Sequence, residues 1–267
     1  MPDKKITLTT LRNMKQAGEK FACLTAYDAS FARLLDDAGV EVVLIGDSLG
    51  MVVQGQESTL PVTIDEMIYH THNVSRGCPH SLVLADMSFM SYATPELALL
   101  NAGRLMAEGH AHAVKLEGGA VMVDTVKQLT THGIPVCAHL GLLPQSVNKL
   151  GGYRVQGKDK HTADSIMRDS LAMQEAGADL LLYECIPSGL AAEITRNVDI
   201  PVIGIGAGAD CDAQVLVLHD MLGITPGKRP KFSKNFMQGA DSIQQAVENY
   251  VKEVKTGTFP GPEHSFS

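Results

Sequence analysis

The chain has 267 residues, of which 45% are hydrophobic and 19% charged, with a formal net charge of −8. This length and apolar content suit one large domain, and the acidic balance argues against nucleic-acid or anionic-membrane partners. The five cysteines form no Cys-x-x-Cys pair. Together with the lack of a signal-like or membrane-spanning apolar run, this predicts a cytoplasmic protein in a reducing compartment.

Short runs rich in Val, Ile, Leu and Ala alternate with segments of helical periodicity along the chain. The first helical segment, residues 8–18, is expected to cap the floor of the fold. Eight strands are predicted at 21–28, 41–48, 81–87, 112–118, 134–141, 178–185, 201–208 and 214–220. This alternation favours a single (β/α)8 TIM barrel over residues 1–267, with an open doubly wound sheet as the alternative.

Three of the intervening helices carry clear end signals. One begins with Thr94 as N-cap and Pro95 at the first helical position, and is expected to end at Gly109. Two others are expected to end at Gly177 and Gly257.

Two irregular stretches are long for the loops of such a fold. Residues 49–63 follow the second predicted strand, and residues 142–160 follow the fifth. Because long ordered loops at the mouth of a barrel often act as lids, we expect both to border the functional site.

Chemically active side chains stand at the ends of most predicted strands. They are Tyr27 and Asp28, Asp47 and Ser48, Asp86, Lys115 and Glu117, His139, Glu184, and His219 and Asp220. The carboxyl ends of barrel strands meet at one mouth, where barrel enzymes carry their active sites. Since buried charges are costly unless they are paired or bind a metal, this pattern predicts a site at that mouth.

Asp47, Asp86 and Glu117 end the second, third and fourth predicted strands, which are neighbours in a barrel. Clustered carboxylates repel one another, so a shared cation is the simplest way to stabilise them. Oxygen ligands without His or Cys favour Mg²⁺ or Mn²⁺ over Zn²⁺. The alternative is that each acid only caps the following helix or pairs with a base.

The roles of three further side chains stay open from the residues alone. Lys115 lies on the same strand face as Glu117 and could contact a substrate carboxylate, form a Schiff base or only pair with the acids. His139 could bind substrate, move protons or be a core histidine. Glu184 lies across the mouth from the three acids, where a general base would stand, or it caps the helix near Ser188.

Two other segments have weaker signals. The sequence GIGAG at 204–208 lacks the spacing of a dinucleotide fingerprint and predicts a tight turn. The stretch 227–236 has four Lys or Arg residues and two Phe, and is either a contact for an anionic cofactor tail or a solvated loop.

Nine motifs follow one another in order along the chain. They are TAYD, GDSLGMVVQG, STLPVT, ADMSFMSYATPE, VKLEGG, HLGLLPQSVN, GGYRVQG, IPVIGIGAG and PKFSKNF. As an ordered set they resemble the ketopantoate hydroxymethyltransferase family over nearly the whole chain. One departure is Ser88, where the family pattern would have proline.

The resemblance implies a barrel of the phosphoenolpyruvate/pyruvate superfamily type that binds one Mg²⁺ per subunit. It also implies transfer of a hydroxymethyl group from 5,10-methylenetetrahydrofolate to 3-methyl-2-oxobutanoate through a metal-stabilised enolate. The product would be 2-dehydropantoate in pantothenate biosynthesis, and the assembly a cytoplasmic homodecamer.

The family's functional positions match this chain motif by motif. The metal-site acids correspond to Asp47, Asp86 and Glu117, the oxoacid-binding positions to Asp47, Ser48, Asp86, Lys115 and His139, and the catalytic base to Glu184.

Three competing functions are weighed against this one. A Mg²⁺-dependent lyase of the same superfamily commonly uses a cysteine in a catalytic loop, and neither 49–63 nor 142–160 contains one. A Schiff-base aldolase would need Lys115 as its nucleophile. A non-catalytic scaffold would be expected to have lost some strand-end acids, and none of the matched positions is lost.

Overall fold

The computed structural model describes residues 5–225, 227 and 229–267, and within them eight parallel strands close into one barrel. The strands are β1 (Phe21–Thr25), β2 (Val42–Ile45), β3 (Leu82–Asp86), β4 (Ala113–Glu117), β5 (Val136–Gly141), β6 (Leu180–Glu184), β7 (Val202–Ile205) and β8 (Ala213–Leu216). Each strand pairs in parallel with the next, and β8 pairs with β1. The predicted barrel is confirmed, and the open sheet is wrong.

Helices connect the strands on the outside of the barrel. They are α1 (Leu8–Ala17), α2 (Ala29–Asp37), α3 (Leu49–Val52), α4 (Ile64–Gly77), α5 (Pro95–Ala107), α6 (Val123–Thr131), α7 (Val147–Leu150), α8 (Lys160–Glu175), α9 (Ser188–Asn197), α10 (Leu218–Leu222) and α11 (Ile243–Lys255). None of the helices in the described part of the chain has the length and hydropathy to cross a membrane.

The strands are buried on both faces, which explains their nearly continuous apolar runs. Every residue of β1 to β4 is buried, and so is every residue of β7 and β8. One face of each strand fills the barrel interior and the other packs against the helices, so neither face needs polar side chains. Acidic groups stand at the strand ends, where the barrel opens, and Lys115 in the middle of β4 is paired with Asp86.

Helix α1 closes the floor of the barrel, as its position before the first strand predicts. Leu11 is fully buried beneath the strands. The Arg12 guanidinium pairs with Asp179 before β6, and Lys15 Nζ lies 2.8 Å from Asp212 Oδ2 before β8. The helix is therefore fixed to the amino-terminal end of the barrel by apolar packing and by two ion pairs.

The structure agrees better with the predicted first residues of the helices than with their predicted last residues. Thr94 does cap α5, and its side chain accepts a hydrogen bond from the Leu97 amide. The helices stop two residues before the expected glycines at 109, 177 and 257. Gly177 and Gly257 have positive φ and so lie just beyond their helices, as left-handed residues do.

The eighth strand is shorter than its sequence predicts. The apolar run 214–220 was expected to be one strand, but β8 ends at Leu216 and helix α10 begins two residues later. The Leu218 amide donates to Thr25 Oγ1 at 2.9 Å, which turns the chain out of the sheet. Consequently His219 and Asp220 lie on a short helix rather than at the end of a strand, and that prediction is wrong.

Candidate active site

The barrel register places the predicted site residues side by side at one mouth. Asp86 on β3 is the register partner of Lys115 on β4, and Glu117 on β4 is that of His139 on β5. Glu184 ends β6 opposite Gly141. Asp47 and Ser48 directly follow β2 at the same end. The structure thus gathers all seven predicted site residues in one region.

Lys115 is the cationic centre of this cluster. It is 5% exposed, and its Nζ lies 3.0 Å from Asp86 Oδ1 and 3.3 Å from His139 Nδ1. Burial alone would lower the pKa of Lys115, but the charges of Asp86, Glu117 and Asp47 outweigh it and raise that pKa. The side chain is therefore a protonated ammonium, whereas a Schiff base forms from the neutral amine.

His139 lies between two carboxylates. Its Nδ1 is 3.4 Å from Glu117 Oε1, and its Nε2 is 3.4 Å from Glu184 Oε2. Burial and the nearby Lys115 charge lower the pKa of His139. The ring is consequently neutral near pH 7, and its buried Nε2 has no hydrogen-bond partner.

The three acids at the ends of β2, β3 and β4 are buried close enough together to repel one another. Burial, followed by repulsion from Asp86 and Glu117, raises the pKa of Asp47 well above its usual range. Burial and the charge of Asp86 raise the pKa of Glu117 to about 7, against the opposing effect of Lys115. Three carboxylates thus face one ammonium, an arrangement that a further cation would stabilise.

Each of these carboxylates has one oxygen that is held by an N–H group. Asp47 Oδ2 accepts from Gln145 Nε2 at 2.8 Å, Glu117 Oε2 from the Gln145 amide at 3.0 Å, and Asp86 Oδ2 from the Asp47 amide at 3.0 Å. The second oxygens differ: Asp86 Oδ1 contacts the Lys115 ammonium at 3.0 Å, whereas the buried Glu117 Oε1 has no hydrogen bond and lies 3.4 Å from His139 Nδ1.

The donor set fits a hard divalent cation, although the ligands are not yet arranged around it. In the described residues no three His, Cys, Asp or Glu side chains already surround a common metal position. Carboxylate oxygens are nevertheless the ligand type that Mg²⁺ takes, and the buried Glu117 Oε1 has no hydrogen bond.

Glu184 differs from the other acids in its accessibility. Its side chain is 15% exposed, compared with 3% for Glu117 and 4% for Asp86. Helix α9 begins at Ser188 after Pro187 and has no side-chain cap, so the alternative role of Glu184 as a helix cap is wrong. Glu184 is therefore the carboxylate of the cluster that a substrate reaches most easily.

A cavity of about 360 Å³ adjoins the cluster on the side of β1 and β8. It is lined by Tyr27, Asp28, Phe31, Val52, Val53, His70 and His219. Tyr27 shares a 2.9 Å hydrogen bond with Ser48 Oγ, which connects the cavity to the predicted oxoacid-binding position. Asp28, in contrast, caps α2 by accepting from the Ser30 and Phe31 amides.

Several predicted features have structural roles around the site. Gly206 and Gly208 have positive φ, so GIGAG forms the predicted tight turn. In the stretch 227–236, Lys234 Nζ pairs with Glu253, while Lys228 lies outside the described residues. Ser88 is buried, and its carbonyl accepts from Ser91 at 3.0 Å, so this turn forms without the expected proline.

Sequence reasoning missed two residues of the cluster, Gln145 and Tyr92. Gln145 contacts both Asp47 and Glu117, and the Tyr92 hydroxyl donates to Gln145 Oε1. Both lie inside motifs that carry the family resemblance, so motif matching was the available signal. Neither stands at a strand end, where the search for chemistry was directed.

The fold and the mouth together define a class of protein. A closed (β/α)8 barrel with clustered carboxylates, a buried ammonium and a neutral histidine at the carboxyl ends of its strands has the architecture of a barrel enzyme. Within this class, the sequence identifies one family. The model of the ketopantoate hydroxymethyltransferase family matches residues 5–262, and the chain belongs to that family.

Curated relatives agree over nearly the full length. A 3-methyl-2-oxobutanoate hydroxymethyltransferase of Nitrosococcus oceani is 59% identical over 262 residues, covering 98% of this chain and 99% of the relative. A protein of the same name from Marinomonas sp. is 59% identical over 263 residues, covering 98% and 95%. The chain is accordingly a transferase enzyme, and the non-catalytic scaffold alternative is wrong.

Solved structures share the fold at low sequence identity. Phosphoenolpyruvate phosphomutase from Streptomyces platensis subsp. rosaceus matches with a TM-score of 0.62 and 16% identity, covering 81% of this chain and 82% of that one. A phosphonopyruvate hydrolase in complex with oxalate and Mg²⁺ matches with a TM-score of 0.63 and 13% identity, covering 92% and 95%. A 2,3-dimethylmalate lyase described as a member of the PEP mutase/isocitrate lyase superfamily shares the fold in the same way, with a TM-score of 0.59 and 17% identity.

Proposed function

We propose that the protein transfers a hydroxymethyl group from 5,10-methylenetetrahydrofolate to 3-methyl-2-oxobutanoate, forming 2-dehydropantoate for pantothenate synthesis. The observation that carries this proposal is the cluster of three buried carboxylates beside one ammonium at the mouth of the barrel, where Glu117 Oε1 has no hydrogen bond. The names of the relatives supply the reaction, and the cluster supplies the chemistry that such a reaction needs.

Asp47, Asp86 and Glu117 are the residues that would hold Mg²⁺. When bound, the ion would polarise the keto and carboxylate oxygens of the oxoacid and offset the negative charge of its enolate. The buried Glu117 Oε1, which has no hydrogen bond, and the excess of three carboxylates over one ammonium support this assignment. Further support comes from the phosphonopyruvate hydrolase of the same fold, whose structure holds Mg²⁺ with oxalate, a small dicarboxylate.

Lys115, Ser48 and His139 bind and orient the oxoacid. The Lys115 ammonium provides a fixed positive charge for the substrate oxygens, at a position that Asp86 holds through the 3.0 Å contact. The Ser48 hydroxyl, fixed by Tyr27, offers a hydrogen bond at the rim. The neutral His139 has its Nε2 available to accept or donate.

Glu184 acts as the general base in this proposal. Its carboxylate removes the proton from C3 of the oxoacid, and the electrons of the broken C–H bond form the new C–C bond to the donor's methylene carbon. Both carbon–nitrogen bonds of the donor's methylene carbon break, and water supplies the hydroxyl oxygen. The C3 proton and one proton of the water pass to the two released nitrogens, and tetrahydrofolate leaves. Glu184 suits this role because it is the most accessible acid of the cluster.

Two features of the resemblance extend this proposal. We propose that one Mg²⁺ binds per subunit, and that the subunits assemble in the cytoplasm into a homodecamer of paired pentamers. Multi-angle light scattering of the purified protein measures the assembly mass directly, and a monomer or dimer at micromolar concentration contradicts the decamer.

The proposal is tested by separating proton removal from binding. In Glu184→Gln, exchange of the C3 proton of 3-methyl-2-oxobutanoate with deuterated solvent should cease, while binding of Mg²⁺ and the oxoacid persists. Glu57→Gln, an exposed glutamate of the loop after β2, is the matched control and should exchange normally. Normal exchange in Glu184→Gln removes that residue from the role of base.

The overall reaction requires its own assay. Protein, oxoacid, methylenetetrahydrofolate and Mg²⁺ should yield 2-dehydropantoate, and a chelator should abolish the product. Product that persists in the presence of the chelator contradicts the metal assignment. Borohydride should trap no covalent adduct, because Lys115 is an ammonium; a trapped adduct at Lys115 would support the aldolase instead.

A further inference from the structure

Gln145 is the residue that joins two of the three carboxylates. It lies in the loop after β5 and is 7% exposed. Its side-chain Nε2 donates to Asp47 Oδ2 at 2.8 Å and to the Met87 carbonyl at 2.9 Å, while its backbone amide donates to Glu117 Oε2 at 3.0 Å. One residue thus fixes acids that come from two different strands.

A tyrosine determines which way the Gln145 amide points. The Tyr92 hydroxyl donates to Gln145 Oε1 and accepts from the Glu117 amide at 3.3 Å. Because Oε1 is engaged by this donor, the NH₂ group of the same amide must face Asp47 and Met87. Tyr92 is buried, so water competes little for these contacts.

These contacts leave the other oxygens of the acids available. Gln145 engages Oδ2 of Asp47 and Oε2 of Glu117, whereas the buried Glu117 Oε1 has no hydrogen bond. A group that binds one oxygen of a ligating carboxylate orients the other oxygen toward the metal. Loss of such an outer contact typically costs 10–100-fold in metal affinity.

We propose that Gln145 is a positioning residue for the cation site, held in its working orientation by Tyr92. It turns Asp47 and Glu117 so that each presents one oxygen to a divalent cation. The inference rests on the proposed metal site and adds to it a residue outside the predicted ligand set. It also connects the loop 142–160 to the cation, since Gln145 is a residue of that loop.

The test measures metal affinity in the absence of both substrates. Full-length metal-free protein is titrated with Mg²⁺ by calorimetry, as wild type and as Gln145→Met, which keeps the volume and the backbone amide but removes the side-chain donor. We expect binding to weaken about 10–100-fold in the variant. The control is Gln156→Met in the same loop, whose side-chain amide donates to the Arg154 carbonyl, and the Mg²⁺ affinity of this variant should equal that of wild type.

A second variant tests the orientation by Tyr92 and covers the case in which Gln145→Met does not fold. Tyr92→Phe leaves Gln145 in place but removes the hydroxyl that fixes its amide, so it should also weaken Mg²⁺ binding. If Tyr92 acts through Gln145, adding Tyr92→Phe to Gln145→Met should cause little further loss. Unchanged affinity in Tyr92→Phe, or fully additive losses in the double variant, overturns this part of the inference.

The outcomes separate the inference from the proposed function. Wild type that binds Mg²⁺ together with Gln145→Met that binds it equally well overturns the inference and leaves the metal site standing. Wild type that binds no Mg²⁺ overturns both. A variant with a lower melting temperature but wild-type affinity assigns Gln145 to structure alone.

Discussion

The two ends of the barrel use buried carboxylates in opposite ways. At the floor, Glu41 accepts from the Ala22 amide at 2.9 Å, Asp212 from Val202 at 2.8 Å and Asp179 from Val136 at 3.2 Å. Each also pairs with a cation of a helix: Lys255 for Glu41, Lys15 for Asp212 and Arg12 for Asp179. None of these floor acids has an oxygen among the buried unpartnered atoms of the described chain.

At the mouth the same residue types are left incompletely paired. Asp47, Asp86 and Glu117 face a single ammonium, which contacts Asp86, and the buried Glu117 Oε1 has no hydrogen bond. The difference is physical: each floor acid has a cation of its own, which stabilises the fold, whereas the three mouth acids together have one and keep binding capacity for a further cation at the expense of stability. Function is therefore expected where the pairing is incomplete.

The largest expected effect follows from neutralising a mouth acid. Asp47→Asn keeps an oxygen for the Gln145 hydrogen bond but removes a charge from the repelling cluster. We expect kcat to fall at least about 100-fold, because the charge that holds the cation is lost. We expect the melting temperature without metal to rise. Wild-type activity, or a melting temperature that falls, contradicts the contrast between the two ends.

At the floor, we expect neutralising an acid to lower stability and to leave activity unchanged. Asp36 accepts from the amides of His80 and Ser81 at 3.0 and 2.7 Å and from the Ser81 hydroxyl at 2.8 Å. Asp36→Ala should lower the free energy of unfolding by about 3 kcal/mol, because these buried donors lose their partner. Specific activity of the folded enzyme should not change.

Asp37, the residue next to Asp36, provides the matched control for Asp36→Ala. Asp37 is exposed and pairs with Arg33 one helical turn away, so Asp37→Ala should cost only about 0.5 kcal/mol by urea unfolding. Equal losses in the two variants would mean that burial and pairing at the floor do not set the difference.

A third effect distinguishes the two ends through ligand binding. Mg²⁺ at 100 times its dissociation constant should stabilise wild type by about 2.7 kcal/mol, since the ion binds the folded chain alone. The same addition should not stabilise Asp47→Asn. Mg²⁺ should still stabilise the floor variant Asp36→Ala, and loss of stabilisation there would place the cation at the wrong end.

The smallest expected effect is a pH dependence of folding stability that arises from His112 at the floor. His112 Nδ1 accepts the Val83 amide at 2.9 Å, and burial, with a contribution from the Lys5 charge, lowers the pKa of His112 to about 4. The unfolded chain takes up this proton near pH 6.5 and the folded chain only near 4. Stability from this group is therefore complete above about pH 6.5 and declines as the pH falls from about 6.5 to 4.

A substitution isolates that contribution. His112→Asn keeps an acceptor for the Val83 amide but cannot be protonated. Urea unfolding at pH 7 and pH 5 should show a smaller loss of stability in His112→Asn than in wild type. An equal loss in both proteins assigns the pH dependence to other groups.

The sequence alone was sufficient for the barrel and for most of the mouth. Apolar runs that end in Asp47, Asp86, Glu117 and Glu184 indicate both the strands and the site, because burial on both faces disfavours unpaired charge elsewhere on a strand. The end of β8 was missed because Val217 and Leu218 continue the apolar run after the strand stops, and the contact of Thr25 with Leu218 turns the chain.

Other parts of the site depend on contacts between distant segments. Gln145 reaches Asp47 from a loop that no local pattern directs toward the mouth, and Tyr92 orients it from a third segment. The ion pairs at the floor also join distant segments, since Arg12 and Asp179 are far apart in sequence. Such pairs follow from the closed barrel and cannot be obtained from the residues that flank them.

The account depends most on one cation shared by Asp47, Asp86 and Glu117. Crystals grown with Mn²⁺ and 3-methyl-2-oxobutanoate, measured at the manganese edge, locate the ion by its anomalous signal. We predict a single strong peak among these three carboxylates, next to the bound oxoacid. Full occupancy of the oxoacid without an anomalous peak at this position, or with a peak for an ion bound by other residues, would contradict this claim.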